Sequence, residues 1–355
     1  MITTAWNRSD ALIVTDHPDH PGQHIPLPDL TQDMAYQQVS RLHAACDSMT
    51  GDDDSRERAE RDLHAILAWL WDTTAAPVLT ALGHTATPAG EQAWPRLWWC
   101  PVGTLASLPI HAAGHHHDEG TDPRTVLDRV ISSYSATIRS LSYSRQRPPR
   151  TGSAADTSLI VAMPDTPGSQ PLREVRKEIE QLTRLLPDAR LLQGPDATYD
   201  SVIEALPRHR VAHFACHCHS DSYAPGASRL LLHDHRDKPL TVDAISQIQF
   251  PGADLAYLSA CSTSATSPEL ADEAVHITSA FQLAGYRNVI GTLWPADDEV
   301  AVQVATDVYT YLTSNGTHAP DTDTAAVALH HATRTLRENL RQSPTRWAAY
   351  IHVGV

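Results

Sequence analysis

Residues 211–217 read Val-Ala-His-Phe-Ala-Cys-His, and residues 255–261 read Leu-Ala-Tyr-Leu-Ser-Ala-Cys. Each opens with a short apolar run of the kind that forms a strand buried on both faces. Each then ends in a reactive side chain: 211–215 runs into Cys216 and His217, and 255–259 runs into Ala260 and Cys261. In open parallel sheets, functional groups gather at the carboxyl ends of strands, because the loops there face one crevice. Cys261 and His217 are therefore expected to meet. A thiol of ordinary pKa is mostly protonated at neutral pH, so a nearby imidazole that accepts the proton is what makes it a useful nucleophile. The same imidazole can later protonate a leaving amine.

Working outward, apolar runs and amphipathic stretches alternate. Strands are expected at 159–163 and 190–192, and helices at 172–186 and 199–206. A hairpin-like pair follows at 229–232 and 239–242. Helix 271–284, strand 288–293, helices 298–312 and 325–340 and a terminal strand near Tyr350 complete this part. Such an order predicts an α/β fold, a mostly parallel sheet flanked by helices. Upstream, 11–15 and 97–101 read as strands, and 55–82 as a helical stretch interrupted at Pro77. The stretch 146–157 is rich in Pro, Gly, basic and small polar residues, so it reads as a linker dividing the chain into 1–150 and 151–355. No internal repeat of 20 to 50 residues stands out.

Composition narrows the partners. Twenty-seven basic against 42 acidic residues give the 355-residue chain a net charge of −15, which repels a phosphate backbone and argues against nucleic acid. No apolar run reaches the length of a membrane span, and residues 1–10 lack a basic segment followed by an apolar one, so a cytoplasmic location is expected. Five cysteines, at 46, 100, 216, 218 and 261, favour free thiols over a disulfide framework.

The segments His213-Phe214-Ala215-Cys216-His217 and Leu258-Ser259-Ala260-Cys261 resemble the two signatures of the CHAT domains, relatives of caspases and separases. Leu108-Pro109, Gly291-Thr292-Leu293-Trp294-Pro295 and Trp347-Ala348-Ala349-Tyr350 are similar to further family segments, in the same order. The resemblance implies a caspase-like fold with a degenerate, peptidase-like N-terminal half over 1–150 and a catalytic half over 151–355. It implies a cysteine endopeptidase that cleaves a protein partner through a thioester intermediate, with Cys261 as nucleophile and His217 as general acid–base. The backbone N–H groups of Cys218 and Cys261 would form the oxyanion hole. A separate regulatory or sensor protein is a further expected partner, and no cofactor or metal is implied. The chain departs from the family at Cys218, where a glycine usually follows the histidine. That departure keeps open an alternative, a catalytically silent CHAT-fold interaction scaffold.

Other readings compete at several positions. His213 shares a face with His217 and reads as core or as a group supporting the catalytic residues from behind. The run Cys216-His217-Cys218-His219 has zinc-ligand chemistry, but adjacent residues on an extended segment point to opposite faces. His115-His116-His117 is expected in a solvated loop. Asp297 and Asp298 precede a helix and read first as caps. In the caspase-like frame their segment also borders the pocket for the residue before the scissile bond, so Trp294, Asp297 and Asp298 are the pocket candidates. An acidic group there would favour Lys or Arg.

Overall fold

The structure, a computed structural model, describes residues 1–6, 8–15, 22–90, 92–118, 122–146, 158–221, 224–259 and 273–355. The chain opens with β1 (Ile2–Thr4), β2 (Ser9–Val14) and β3 (Gly22–Pro26), a small antiparallel sheet. Thr31 and Asp52 then start helices α1 (Gln32–Ser48) and α2 (Asp53–Leu70), their side chains accepting the N–H groups of Met34 and Ser55 that the first turn leaves unpaired. α2 widens into a π-helical segment, Trp71–Ala75, before α3 (Ala76–Ala81). Pro77 explains the widening: it has no N–H to give to the carbonyl four residues back, and its ring crowds that carbonyl. β4 (Arg96–Trp99), β5 (Ile131–Tyr134) and α4 (Ile138–Gln146) follow.

The expected alternation then appears: β6 (Ser158–Ala162), α5 (Val175–Leu185), β7 (Arg190–Gln193), α6 (Tyr199–Ala205) and β8 (Val211–Ala215). Three short strands, β9 (Cys218–His219), β10 (Arg229–Leu230) and β11 (Leu240–Thr241), pair antiparallel ahead of α7 (Val242–Gln247). The chain continues through β12 (Leu255–Leu258), α8 (Glu273–Ala284), β13 (Asn288–Thr292) and α9 (Asp298–Leu312). It closes with α10 (Ala325–Asn339), α11 (Pro344–Trp347) and β14 (Tyr350–Gly354).

Eight strands form one sheet in the order β4-β5-β14-β13-β12-β8-β6-β7. Every neighbouring pair is parallel except β13 with β14. The inner strands β6, β8, β12, β13 and β14 are buried at every position, which is why they read as unbroken apolar runs. Alternation along β8 shows the layering: His213 meets Tyr309 of α9 on one face, and Phe214 meets Phe281 of α8 on the other.

Strands from both sides of the 146–157 segment share this sheet, because β14 lies between β13 and β5. The boundary itself falls on 147–157, outside the described residues. A second tie is buried: the Arg337 guanidinium of α10 grips both carboxylate oxygens of Asp128 at 2.6 and 2.9 Å.

Candidate active site

The parallel register of β8 and β12 ends at Phe214 and Leu258, and the Ser259 N–H donates to the Phe214 carbonyl at 2.9 Å. The two strand ends therefore lie side by side, as their sequences imply. His217 stands two residues beyond β8 and is half-buried. Its backbone is pinned, since its carbonyl accepts the Leu231 N–H at 2.8 Å. Its ring is oriented by the Gln170 carbonyl, 2.7 Å from Nε2. A carbonyl can only accept, so Nε2 carries the hydrogen and the lone pair sits on Nδ1.

His217 and Ser259 open onto a cleft of about 260 Å³. Gln170, Leu172, Glu174, Val175 and Glu178 line one side, and Pro295, Ala296, Asp298, Ala301 and Val302 line another. Three of these residues carry carboxyl groups, and no Lys or Arg is among the described lining. Burial, with the Asp297 charge adding, raises the Asp298 carboxyl above the ordinary aspartate value, while His217 opposes the rise.

The pocket candidates separate. Asp298 lines the cleft. Asp297 caps α9 by accepting the Val300 N–H at 3.2 Å, and it also holds Arg346 at 3.2 Å. Trp294 is 3% exposed, donates its indole N–H to the Thr345 carbonyl at 2.8 Å, and does not line the cleft. Cys218 lies in β9 opposite Leu230 in a pair whose hydrogen bonds run through the flanking residues, so its own backbone groups point away from β10. Cys261 lies outside the described residues.

Glu178 was not singled out by sequence reasoning. It is 2% exposed, accepts a hydrogen bond from the Ser259 hydroxyl, and has an oxygen 3.1 Å from His213 Nε2. The buried hydroxyls of Tyr257, Tyr309 and Tyr350 have no partner among the described residues. Burial, with the Glu178 charge contributing, raises all three phenols. A signal was present in the sequence: Glu178 sits among Val175, Ile179 and Leu182 on the apolar face of α5, where a carboxylate is out of place unless it has partners.

Two histidine readings are also resolved in space. His213 is fully buried and stacks on Tyr257 with ring centroids 5.0 Å apart. His116 is not solvated as the loop composition suggested. It is 5% exposed, bonds the Ala112 carbonyl and packs its ring edgewise on Trp347. Among the described residues, no group of three or more His, Cys, Asp or Glu is arranged to hold a metal ion.

The eight-stranded, mostly parallel sheet with helices on both faces and a histidine-bearing cleft at its strand ends defines a protein of the caspase fold. A family model for the CHAT domain matches residues 64–355, and the chain belongs to that family. Its fold resembles separase in the Saccharomyces cerevisiae separase–securin complex, with a TM-score of 0.62 at 10% identity, over 100% of this chain and 29% of that one. It also resembles the Arg-specific cysteine proteinase gingipain R of Porphyromonas gingivalis, with a TM-score of 0.52 at 10% identity, over 84% of this chain and 74% of that one. Human tetratricopeptide repeat protein 28 is 24% identical over 332 residues, which is 80% of this chain. The chain spans 13% of that relative's length. No helix among the described residues is long and apolar enough to cross a membrane.

Proposed function

We propose that this chain is a cysteine endopeptidase that cleaves a protein partner at the cleft between the ends of β8 and β12. The observation that carries the reading is the fixed imidazole of His217, oriented through Nε2 by Gln170 beside the end of the cysteine-bearing strand. His217 and Cys261 each stand three residues beyond the last registered pair, Phe214 and Leu258.

In this mechanism His217 Nδ1 takes the Cys261 thiol proton, and the thiolate attacks the scissile carbonyl carbon. The backbone N–H groups of Cys218 and Cys261 stabilise the resulting oxyanion. Collapse breaks the C–N bond as Nδ1–H protonates the leaving amine, giving a thioester. Water then attacks the thioester with Nδ1 as base, and the returned proton regenerates the thiol as the carboxylic product leaves.

The three carboxyl groups in the cleft favour a Lys or Arg before the scissile bond, with Asp298 nearest in kind to the expected pocket residue. The Arg specificity in the name of gingipain R is in keeping with that choice. Residues 1–150 act as a structural, degenerate half, supported by β4 and β5 joining the sheet on the side away from the cleft. The free thiols of Cys46 and Cys100 suit a reducing cytoplasm. Separase was solved with securin, and a separate regulatory protein for this chain is in keeping with that arrangement.

The test is intact-mass and peptide mapping after treatment with a peptidyl ketone carrying Arg at its reactive end. An adduct on Cys261 that is lost in His217→Ala is the expected result. Absence of any Cys261 adduct would select the second reading, a non-catalytic scaffold, which the side chain of Cys218, directly after His217 at the start of β9, favours.

A further inference from the structure

A concavity larger than the cleft lies at the far edge of the sheet. β4 is its outermost strand, four strands from β12 and so roughly 19 Å from the candidate active site. Pro95 and Trp99 give their carbonyls to Ile131 and Ser135 beyond β5, so by alternation the backbone groups of Arg96 and Trp98 point outward. Among the described residues, β1 covers this edge from Cys100 onward, whose carbonyl accepts the Ile2 N–H at 3.0 Å. β2 in turn runs past β1, and Ile13 and Val14 pair with β3 alone among the described residues.

Between these strands lies a groove of about 660 Å³ with Leu12, Ile13, Val14, Leu82, Leu97 and Ile138 among its lining. In a chain of net charge −15, its described lining contains Arg96 and Arg145 and no carboxylate. Both guanidiniums lie on the Trp98 ring, 4.8 and 4.3 Å from its centroid. Neither has a carboxylate at ion-pair distance among the described residues, and the buried Nε of Arg96 has no hydrogen-bond partner. Charges that merely guard an edge strand against aggregation stand out in solvent. Arg96 instead lies within the groove, where burial, with Arg145 adding, lowers it to about 10, still cationic at neutral pH.

We propose that this groove docks an extended acidic segment of a partner protein, which adds to β4 as a further strand. Side chains alternate across a strand, so the face shared by Arg96, Trp98 and Arg145 calls for Asp or Glu at every second position. The positions between them meet the apolar lining and are therefore apolar. An edge and guanidiniums that both lack partners of their kind among the described residues select the backbone form and the charge of the partner.

The test is fluorescence anisotropy on the full chain with a fluorescein-labelled nonapeptide alternating Glu and Val. Binding is expected, weakened on the order of tenfold by Arg145→Glu and by replacing Glu with Lys in the peptide. N-methylation of alternate peptide nitrogens should weaken it as much, since strand addition needs those N–H groups. Arg145 is exposed and makes no ion pair among the described residues, so an unchanged melting temperature should accompany the loss. No binding, equal binding by Arg145→Glu, or equal binding of the N-methylated peptide would overturn the proposal. A wild-type dimer in light scattering that Arg145→Glu dissolves would make a second copy the occupant and overturn it as well.

Discussion

The Nε2 atom of His217 lies 2.7 Å from the carbonyl oxygen of Gln170, a contact that fixes the ring and leaves the lone pair on Nδ1. His217→Ala is therefore expected to lower kcat/KM on a fluorogenic peptide by roughly 10²- to 10⁴-fold, the usual contribution of a positioned acid–base group. Alkylation of Cys261 by iodoacetamide at neutral pH should slow in parallel. Unchanged alkylation would mean that the imidazole does not govern this thiol.

Beneath that ring, Glu178 anchors Ser259, two residues before Cys261. Glu178→Leu strands the buried Ser259 hydroxyl, at a cost of about 1–3 kcal/mol, and removes the carboxylate 3.1 Å from His213 Nε2. Glu178→Gln keeps an acceptor and should retain most of the stability in urea unfolding. If Glu178 positions the strand end, Glu178→Leu lowers kcat with KM little changed. Equal kcat in the two variants would restrict Glu178 to a packing role.

Asp297 and Asp298 are adjacent in sequence but differ in surroundings. Asp298→Asn should reduce turnover of peptides with Arg or Lys before the cut on the order of tenfold or more, with little effect on folding. Asp297→Ala should cost about 1 kcal/mol through the lost cap and leave the preference intact. Because the Asp298 carboxyl is raised, it loses its charge on acidification before an ordinary aspartate does. KM for basic peptides should therefore climb as pH falls, and the climb should vanish in Asp298→Asn.

Four buried histidines make the fold acid-labile. Burial pushes His111, His116, His330 and His352 down to about 3. The unfolded chain binds protons below the ordinary histidine value, near 6.5, while the folded chain refuses them. Their stabilisation is thus complete above that value and is lost as pH falls, at up to ~1.4 kcal/mol per histidine for each pH unit. Circular dichroism melts should show Tm holding above about pH 6.5 and falling ever more steeply as pH drops from there toward 3. A flat profile would show that these rings are protonated in the folded state.

The Asp128–Arg337 pair joins the first part of the chain to α10, with side chains 3% and 7% exposed. Arg337→Ala leaves the buried carboxylate with only the more distant guanidinium of Arg334, 3.5 Å away, and chemical denaturation should register a loss of about 3–5 kcal/mol. Arg337→Lys keeps the charge but not the two-pronged geometry and should recover part of it. A loss under about 1 kcal/mol would mean that water reaches Asp128.

The strands around the cleft were legible because burial on both faces leaves an uninterrupted apolar run, as in 211–215 and 255–258. That the helix is interrupted was legible from Pro77, but its π-helical form over Trp71–Ala75 was not. α1 was not, because its buried face is Ala35, Val39, Leu42 and Ala45, and two alanines carry little periodic signal. β5 was hidden by its polar centre: Ser133 is buried, and its hydroxyl accepts from Arg96 and also bonds His352, partners more than thirty residues away in sequence. Strand order is likewise invisible to periodicity, so nothing in Tyr350–Gly354 announces that it bridges β13 and β5. Of the residues lining the cleft, His217 and Asp298 are named by their motifs, whereas the sequence of α5 marks Glu178 only as a carboxylate on an apolar face and does not reveal its partner at the end of β12.

The bridging position of β14 also sets a timetable. β5 leaves the ribosome more than two hundred residues before β14 does. At about 5–20 residues per second, that is a wait on the order of ten to forty seconds. During it β4 and β5 have no central partner, while β6, β7, β8, β12 and β13 can assemble as each emerges. The nascent molecule is thus two sheet fragments with an open seam in the middle, and the seam closes when the β14 strand arrives.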